Sequence, residues 1–341
     1  MSPQKLKYGL IGCGQAGKVH AWHFSHHPEI QPLFCMDTDR ESAHRLRSDL
    51  SFKNAYTNLE EALDSEKPDL VSIATPPSEH ASQVISAAQR GIQVLCEKPL
   101  FLDSGEMKPT LNICFERNVT LGVMLPRRFY NDTLATRAVL AEGLLGRILK
   151  VDFDLECRKE SSYYKGWRGK KGFAGGGVLM SQAIHSIDQL VFLFGKPSHV
   201  EGQVWRVRDS IEIEDEAQGV IFFENGVRVD LRATNNSSNH LWQGVTSIEG
   251  DKGRIVLDSE KVVLWDVVAG AARPTPEEIE EIPEVYKPAY YGPGHRKVIH
   301  HFINVIQGRE SLRVSGEESC ESLKIIWDFY SGSSNNLCLS K

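Results

Sequence analysis

No C-x-x-C pair occurs in this sequence. Its seven cysteines, Cys13, Cys35, Cys96, Cys114, Cys157, Cys320 and Cys338, are scattered and odd in number. That speaks against a disulfide frame or a cysteine zinc site and points to reduced thiols in a cytoplasmic compartment. The 12 histidines include no H-E-x-x-H spacing, so no metal is expected. Basic charge is also short. Lysines and arginines number 39 against 45 aspartates and glutamates, a formal net charge of -6. Such a surface cannot broadly neutralise a phosphate backbone, and nucleic acid is not an expected partner. Long apolar runs are wanting too. None approaches the roughly 20 residues that span a bilayer, and the first strand pattern starts too close to Met1 for a secretory leader. What remains is an ordinary soluble composition, 41% hydrophobic and 25% charged, over 341 residues, a length for which two domains are the default.

Apolar runs alternate with helix-like stretches through the first third. LKYGLIG, PLFCMD, DLVSIATP, IQVLCEKP and VTLGVML read as strands, and segments such as SEHASQVISAAQRG carry apolar residues at helical spacing. Strands buried on both faces and joined by helical crossovers make a parallel, doubly wound α/β sheet, expected over residues 1–126. After about Tyr130 the pattern changes to alternation of apolar and polar residues, in VDFDLECR, HVEGQVWRV, VRVDLRAT and GRIVLDSEKVVLW. That period marks strands with one covered face, so residues 127–341 should form a second α/β domain around an open, mainly antiparallel sheet. Two helices, about 294–308 and 316–332, close the chain.

The stretch KYGLIGCGQAGKVH carries the first chemical signal. A strand ending at Gly12, a tight turn and a helix starting near Ala16 place G-x-G-x-x-G where bare backbone and a helix N-terminus meet a dinucleotide pyrophosphate. Gly12 would make the turn, Gly14 would let phosphates approach, and Gly17 would let helix and strand pack closely. Gln15 and Ala16 complete this cofactor-binding loop. A glycine turn without a ligand is the plain alternative. Asp37, closing the second strand at about the expected spacing, favours the dinucleotide, because a carboxylate there accepts both ribose hydroxyls and repels a 2′-phosphate. NAD is therefore expected in preference to NADP. Arg40 stands against that preference if it serves a 2′-phosphate, and reads otherwise as a solvated residue at a helix start.

Two more strand ends point at the same crevice. ATPPSEHA contributes Thr75, Pro76 and His80, and CEKPL contributes Lys98, which leaves a dry strand and can donate to a substrate hydroxyl. Glu97 belongs to the same cofactor-binding strand end but projects to the opposite side, so it is not paired with Lys98. In the second half, three glycines, Gly175 to Gly177, precede a helix to about Phe194 whose apolar stripe is Met180, Ile184, Ile187, Val191 and Phe194. Ser181, His185 and Asp188 occupy a neighbouring stripe. His185 suits a base that takes a hydroxyl proton, its alternative being a helix histidine satisfied by Asp188 or backbone. Arg127 and Arg128 follow the last parallel strand and either bind anionic substrate groups or form a solvated junction. Trp205, Trp242 and Trp265 read as packing, and Tyr290 and Tyr291 as pocket lining or loop packing.

Taken together, GCGQAG, TPPSEH, EKPL, WRG, GGGVLMSQAIHSIDQL and EDEAQGVIFFENG resemble the glucose-fructose oxidoreductase, inositol dehydrogenase and rhizopine-catabolism (Gfo/Idh/MocA) family over nearly the whole chain. The resemblance implies an N-terminal Rossmann domain and a C-terminal α/β domain, with the last helices packing back toward the first. It further implies a homodimer or homotetramer formed through the C-terminal sheet. Position by position, Lys98 matches the lysine that contacts the reacting hydroxyl, with a bond to Pro99 that is often cis. His185 matches the proton-transfer histidine. Trp167 and Arg168 match a pair lying over the cofactor, and Thr75, Pro76 and His80 match the segment along the nicotinamide ribose. Tyr163 or Tyr164 would line the sugar pocket, with Ser181, Gln182 and Arg128 as further substrate contacts. Many members place an aspartate four residues before the histidine where this chain has Ser181. Serine can orient a hydroxyl but cannot raise the basicity of His185.

The implied activity is hydride transfer between NAD(P) and a ring secondary alcohol of a sugar, sugar nucleotide or cyclitol. Two alternatives are an NAD-assisted glycoside hydrolase using transient ring oxidation, and a cofactor-binding sensor without turnover.

Overall fold

The structure, a computed structural model, describes residues 5–238, 242–267, 271–277, 282–286 and 292–332. It divides into two compact units, one from Met1–Pro126 with Glu278–Ser319, the other from Arg127–Glu277 with Cys320–Lys341.

The first unit alternates β1 (Leu6–Ile11), α1 (Gln15–Ser25), β2 (Ile30–Met36), α2 (Arg40–Asp49), β3 (Asn54–Tyr56) and α3 (Leu59–Glu66). It continues with β4 (Leu70–Ile73), α4 (His80–Gln89), β5 (Gln93–Cys96), α5 (Met107–Glu116) and β6 (Leu121–Val123). All pairings are parallel, in the order β3-β2-β1-β4-β5-β6. The order reverses between β1 and β4, and ligands of open α/β sheets bind beyond the strand ends at such a point. The core grows from that centre. Tyr8 stacks on Phe24 with centroids 4.1 Å apart and bonds Ser72 through its hydroxyl at 2.6 Å. Phe34 fills the space left by Gly9, where a Cβ would overlap its ring. β3 adds to the expected strands. It has three residues and pairs with β2 alone, too short to show a period.

The second unit contains α6 (Asn131–Ala141), β7 (Ile148–Glu156), α7 (Lys171–Ala174), α8 (Ile184–Phe194), β8 (Pro197–Trp205), β9 (Glu216–Phe223) and β10 (Arg228–Thr234). β11 (Gln243–Gly250), β12 (Gly253–Asp258) and β13 (Lys261–Asp266) complete its sheet. The strand order is β13-β12-β11-β7-β10-β9-β8, antiparallel throughout except for β7 beside β10. Along β7 and β10 alternate residues, Val151, Phe153, Leu155, Val229, Leu231 and Ala233, are buried. Their neighbours carry charge, as in the pairs Lys150–Asp152 and Arg228–Asp230. This is the one-sided sheet that alternation predicts.

Two helices follow, α9 (Pro293–Ile306) and α10 (Gly316–Gly332). In the first unit α9 lies against α1, and Phe302 fills the space over Gly122. In the second, the Phe329 ring occupies the room left by Gly202 and Gly219 on adjacent strands. One helical run, Lys171–Phe194, differs from the expectation that none reaches span length. Its length and mean hydropathy of 1.2 would suit a membrane, but 83% of its apolar window is buried inside the protein.

Candidate active site

At the head of α1 each glycine has a physical reason. Gly12 has φ +94°, and a Cβ there would press on the Ala74 carbonyl; a Cβ on Gly17 would overlap the Gly12 carbonyl oxygen. Gly14, by contrast, faces open space, with nothing within 4 Å of its Cβ position. The first two close the strand–turn–helix junction, and the third leaves the approach open. No side chain caps α1 and no acidic residue stands in its first turn, so its N–H groups and positive end suit an anion. Gln15 is exposed and Ala16 half-buried on that first turn.

Asp37 is turned into the same loop. Its Oδ2 accepts from the Cys13 N–H at 2.7 Å and its Oδ1 from the Asp39 N–H at 2.9 Å. Arg40 begins α2 and is exposed, its Nε 3.4 Å from His44 Nε2. A cleft of about 170 Å³ opens beside the turn, with Cys13, Gly14, Gln15, Lys18, Ser42 and Arg45 on its wall. An open approach at Gly14, an uncapped helix head and an oriented carboxylate together fit the pyrophosphate and adenosine ribose of NAD.

His80 clasps two strand ends. Its Nδ1 lies 2.7 Å from the Pro99 carbonyl oxygen and its Nε2 3.0 Å from that of Thr75, with the ring fully buried. Burial lowers its pKa, against the opposing pull of both carbonyls and of Glu97. Thr75 Oγ1 donates to Gln83 at 2.7 Å, leaving Thr75 and Pro76 half-buried at the end of β4. Glu97 turns inward from the end of β5. Its Oε1 is 3.1 Å from Nε2 of the buried His20 on α1, and its Oε2 accepts from the Lys98 N–H at 3.1 Å. Burial works to raise the Glu97 pKa, but the His20 bond and the charges of His20, His295 and Lys98 hold it down at about 2. Glu97, expected with the cofactor-binding residues, is thus bonded to α1. Lys98 follows it, half-buried, with a cis bond to Pro99.

In the second unit the helix expected from the glycines to Phe194 starts with a π-helical turn, Leu179–Ala183, and becomes regular as α8. Every residue of α8 is buried except His185. In the π turn Ser181 and Gln182 are the half-buried ones. On this run the side chains reaching solvent are therefore the three that the sequence singles out for chemistry. Ser181 Oγ donates to the Gly177 carbonyl at 2.6 Å. Gln182 is held at both ends of its amide, by the Tyr163 hydroxyl at 3.0 Å and by the Trp242 indole N–H at 3.3 Å.

Tyr163 and Tyr164 part company. Tyr163 meets Gln182, with Lys159 Nζ 5.0 Å and the Arg168 guanidinium 5.4 Å from its ring centroid. Tyr164 packs against Ile211 and Ile213 and accepts from Asn235 at 3.0 Å. Trp167, half-buried, carries Arg168 4.8 Å from its ring centroid. Lys159 is buried, and that burial, aided by the Arg168 charge, lowers its pKa.

Arg128, expected among the substrate contacts or at a solvated junction, is instead locked into the core. Its Nε and Nη2 donate to Asp188 Oδ2 and Oδ1 at 2.9 and 2.6 Å, with side-chain exposures of 4% and 1%. Ser322 donates to the same carboxylate at 3.0 Å. The pair forms because a carboxylate on the buried side of α8 needs a matched cation. Asp188 is thereby the partner of Arg128. Arg127, also buried, bonds Ser186 and lies 5.5 Å from the Trp242 ring centroid.

Lys159 and Trp242 join this group without being singled out. Trp242 reads as packing because its partner, Gln182, stands 60 residues away. Tyr290 and Tyr291 lie outside the described residues.

Residues 6–125 match the family model described as the oxidoreductase family, NAD-binding Rossmann fold, and residues 133–256 match the GFO/IDH/MocA C-terminal domain. Levoglucosan dehydrogenase of Pseudarthrobacter phenanthrenivorans is 26% identical over 295 residues, 76% of this chain and 75% of that protein. D-xylose 1-dehydrogenase (NADP(+)) 2 of Haloferax volcanii is 25% identical over 322 residues, 94% of each chain. Among solved structures, the WlbA dehydrogenase of Bordetella pertussis in complex with NADH and UDP-GlcNAcA superposes with a TM-score of 0.85 at 24% identity over 98% of both chains, a likeness of fold. An NAD-binding first domain and a matching second domain, both met by this chain in sequence, make it a member of the Gfo/Idh/MocA family of NAD-dependent oxidoreductases.

Proposed function

We propose that this enzyme oxidises or reduces a ring secondary alcohol of a carbohydrate, whether free sugar, sugar nucleotide or cyclitol, with Lys98 and His185 as its catalytic residues. The observation that carries the reading is the exposure pattern on the Leu179–Phe194 run, where His185 alone leaves the core along α8. A buried helix that spares one imidazole from packing keeps a titratable group at its surface at a cost in apolar contact. Relatives named for levoglucosan, D-xylose and D-apiose support a carbohydrate substrate.

When bound, the nicotinamide supplies the acceptor or donor of hydride. The Lys98 ammonium donates to the reacting hydroxyl oxygen and stabilises the negative charge that develops there. His185 takes the hydroxyl proton, or returns it in the reverse direction. Ser181, bonded to the Gly177 carbonyl and beside Gln182, orients the ring with Gln182. Tyr163 and the fixed Gln182 shape the sugar side, with Trp167 and Arg168 along the cofactor. Asp37 selects NAD. The protein would be cytoplasmic, in keeping with six free, buried cysteines among the described residues, and a homodimer or homotetramer formed through the second sheet.

The test is turnover of NAD by the purified protein with a panel of hexoses, pentoses, anhydrosugars, uronates, inositols and UDP-sugars. Lys98→Ala should cut kcat on the oxidised sugar by about 10²-fold or more while leaving NAD affinity within a few-fold. Near wild-type turnover in that variant would overturn the assignment, and cleavage of glycosides without net NADH would replace it with the hydrolase.

A further inference from the structure

The segment EDEAQGVIFFENG, legible in sequence only as part of the second sheet, brings a carboxylate to the start of the His185 helix. Glu214 is 3% exposed. Its Oε2 accepts from the Gly177 N–H at 2.6 Å, and its Oε1 from the Leu179 N–H at 3.0 Å and the Tyr330 hydroxyl at 2.9 Å. Its backbone carbonyl accepts from the Val178 N–H between them, at 3.1 Å. Three successive N–H groups are thus satisfied from another part of the chain, where the π turn has no side-chain cap of its own.

The glycines explain themselves here. A Cβ on Gly177 would overlap the Glu214 carbonyl oxygen, and one on Gly176 would overlap the Tyr330 hydroxyl. Gly177 then passes the anchorage on, for its carbonyl receives both the N–H of Ser181, at 2.8 Å, and the Ser181 hydroxyl, at 2.6 Å. Ser181 is one turn along and His185 roughly one more.

We propose that Glu214 and Tyr330 are positioning residues, which clamp the head of this helix and so set the rotational phase at which Ser181 and His185 meet the substrate. The inference rests on the proton-transfer role proposed for His185. Because a helix turns about 100° per residue, a slip of one residue at its head would swing the imidazole away from any fixed target. The clamp also depends on charge. Only the ionised carboxylate accepts at both oxygens, and protonation converts one of them to a donor. Burial pushes the Glu214 pKa up to about 7, against the two N–H groups and the Tyr330 hydroxyl that favour the ionised form. From the helix head Glu214 meets backbone only, and from α10 it meets Tyr330. Its neighbour Asp215 turns to the Val207 and Arg208 N–H groups and to the Arg208 guanidinium, 3.5 Å away. Because the Glu214 pKa lies above the ordinary carboxylate value, the closed head binds the proton more tightly than the opened one, so protection against opening falls as pH rises through about 7.

The experiment uses the whole protein and two variants. Amide hydrogen-exchange protection over residues 177–185 is followed against pH, together with the pH profiles of kcat and KM on whichever panel sugar is oxidised. Tyr330→Phe removes one donor to the carboxylate, and should raise by about one unit the midpoint at which protection is lost with rising pH. The limb of kcat over the same pH range should move with it while KM stays within about twofold, as for a residue acting only in the transition state. Glu214→Gln, checked for folding by circular dichroism, should have protection that no longer changes over this pH range. A midpoint unmoved in Tyr330→Phe, or one that moves while the kcat limb stays, overturns the inference. If no sugar is oxidised by the wild type, the proposed function fails instead, and the exchange midpoints alone decide whether the head is clamped.

Discussion

Arg128→Met separates the structure from the simplest reading of the sequence. In the folded protein the guanidinium and the Asp188 carboxylate share two charge-assisted bonds of 2.9 and 2.6 Å, and their side chains are 4% and 1% exposed. Methionine matches much of the arginine stem but leaves Asp188 as a buried anion, with Ser322 as its one remaining donor of those described above. Removing one partner of such a pair costs about 3–5 kcal/mol, most of it the penalty of the stranded charge. The same account requires recovery. Arg128→Met combined with Asp188→Leu removes both charges, and should return to within about 1 kcal/mol of wild type or exceed it. Urea unfolding of the four proteins measures this, provided the slope is unchanged so that a shifted midpoint reports stability. The double-mutant cycle then isolates the coupling. A single variant that loses less than about 1 kcal/mol while its KM for an anionic sugar rises would refute the argument. Arg128 would then be the ligand contact that its place after the last parallel strand suggests.

Asp37→Ser removes the carboxylate that the glycine loop orients. Lost charge-assisted bonds to the ribose are worth roughly 1.5–3 kcal/mol, so kcat/KM with NAD should fall about 10- to 100-fold and the ratio toward NADP should rise. An unchanged ratio would make Arg40 the arbiter. His80→Ala leaves the Thr75 and Pro99 carbonyls without the buried ring that joins them, and should cost about 1–3 kcal/mol. Calorimetry showing an unmoved Tm would mean that the clasp contributes nothing.

Much of the first unit is legible because its signals are local. An apolar run, a glycine turn and a helix occupy one continuous stretch, Leu6 to Ser25, and the turn's ligand geometry follows from backbone sterics at Gly12, Gly14 and Gly17. β3 escapes because three half-buried residues at a sheet edge carry no period. β11 escapes for another reason. Its buried face is made by Gly244, Thr246 and Ile248, so only one large apolar side chain marks the alternation. The site divides along the same line. Ser181, Gln182 and His185 sit on one helix and can be read from spacing, whereas Arg128 with Asp188, Gln182 with Trp242, and Gly177 with Glu214 are 60, 60 and 37 residues apart. No local pattern contains those pairings.

The glycines before the helix show what such distance hides. In sequence Gly175 to Gly177 read as a break that lets a helix begin. In the fold Gly175 turns at φ +73°, while Gly176 and Gly177 are small because a hydroxyl and a carbonyl occupy the space of their side chains. The neighbouring Ser181 follows from the same anchorage. Its hydroxyl donates to the Gly177 carbonyl, and its oxygen accepts from Gln182 Nε2 at 3.5 Å. An aspartate in that place would likewise accept, but with a full charge beside His185 that would raise its basicity. A serine carries no such charge, so on the proposal that Glu214 and Tyr330 clamp the helix head, it is placement that sets how that imidazole meets the substrate.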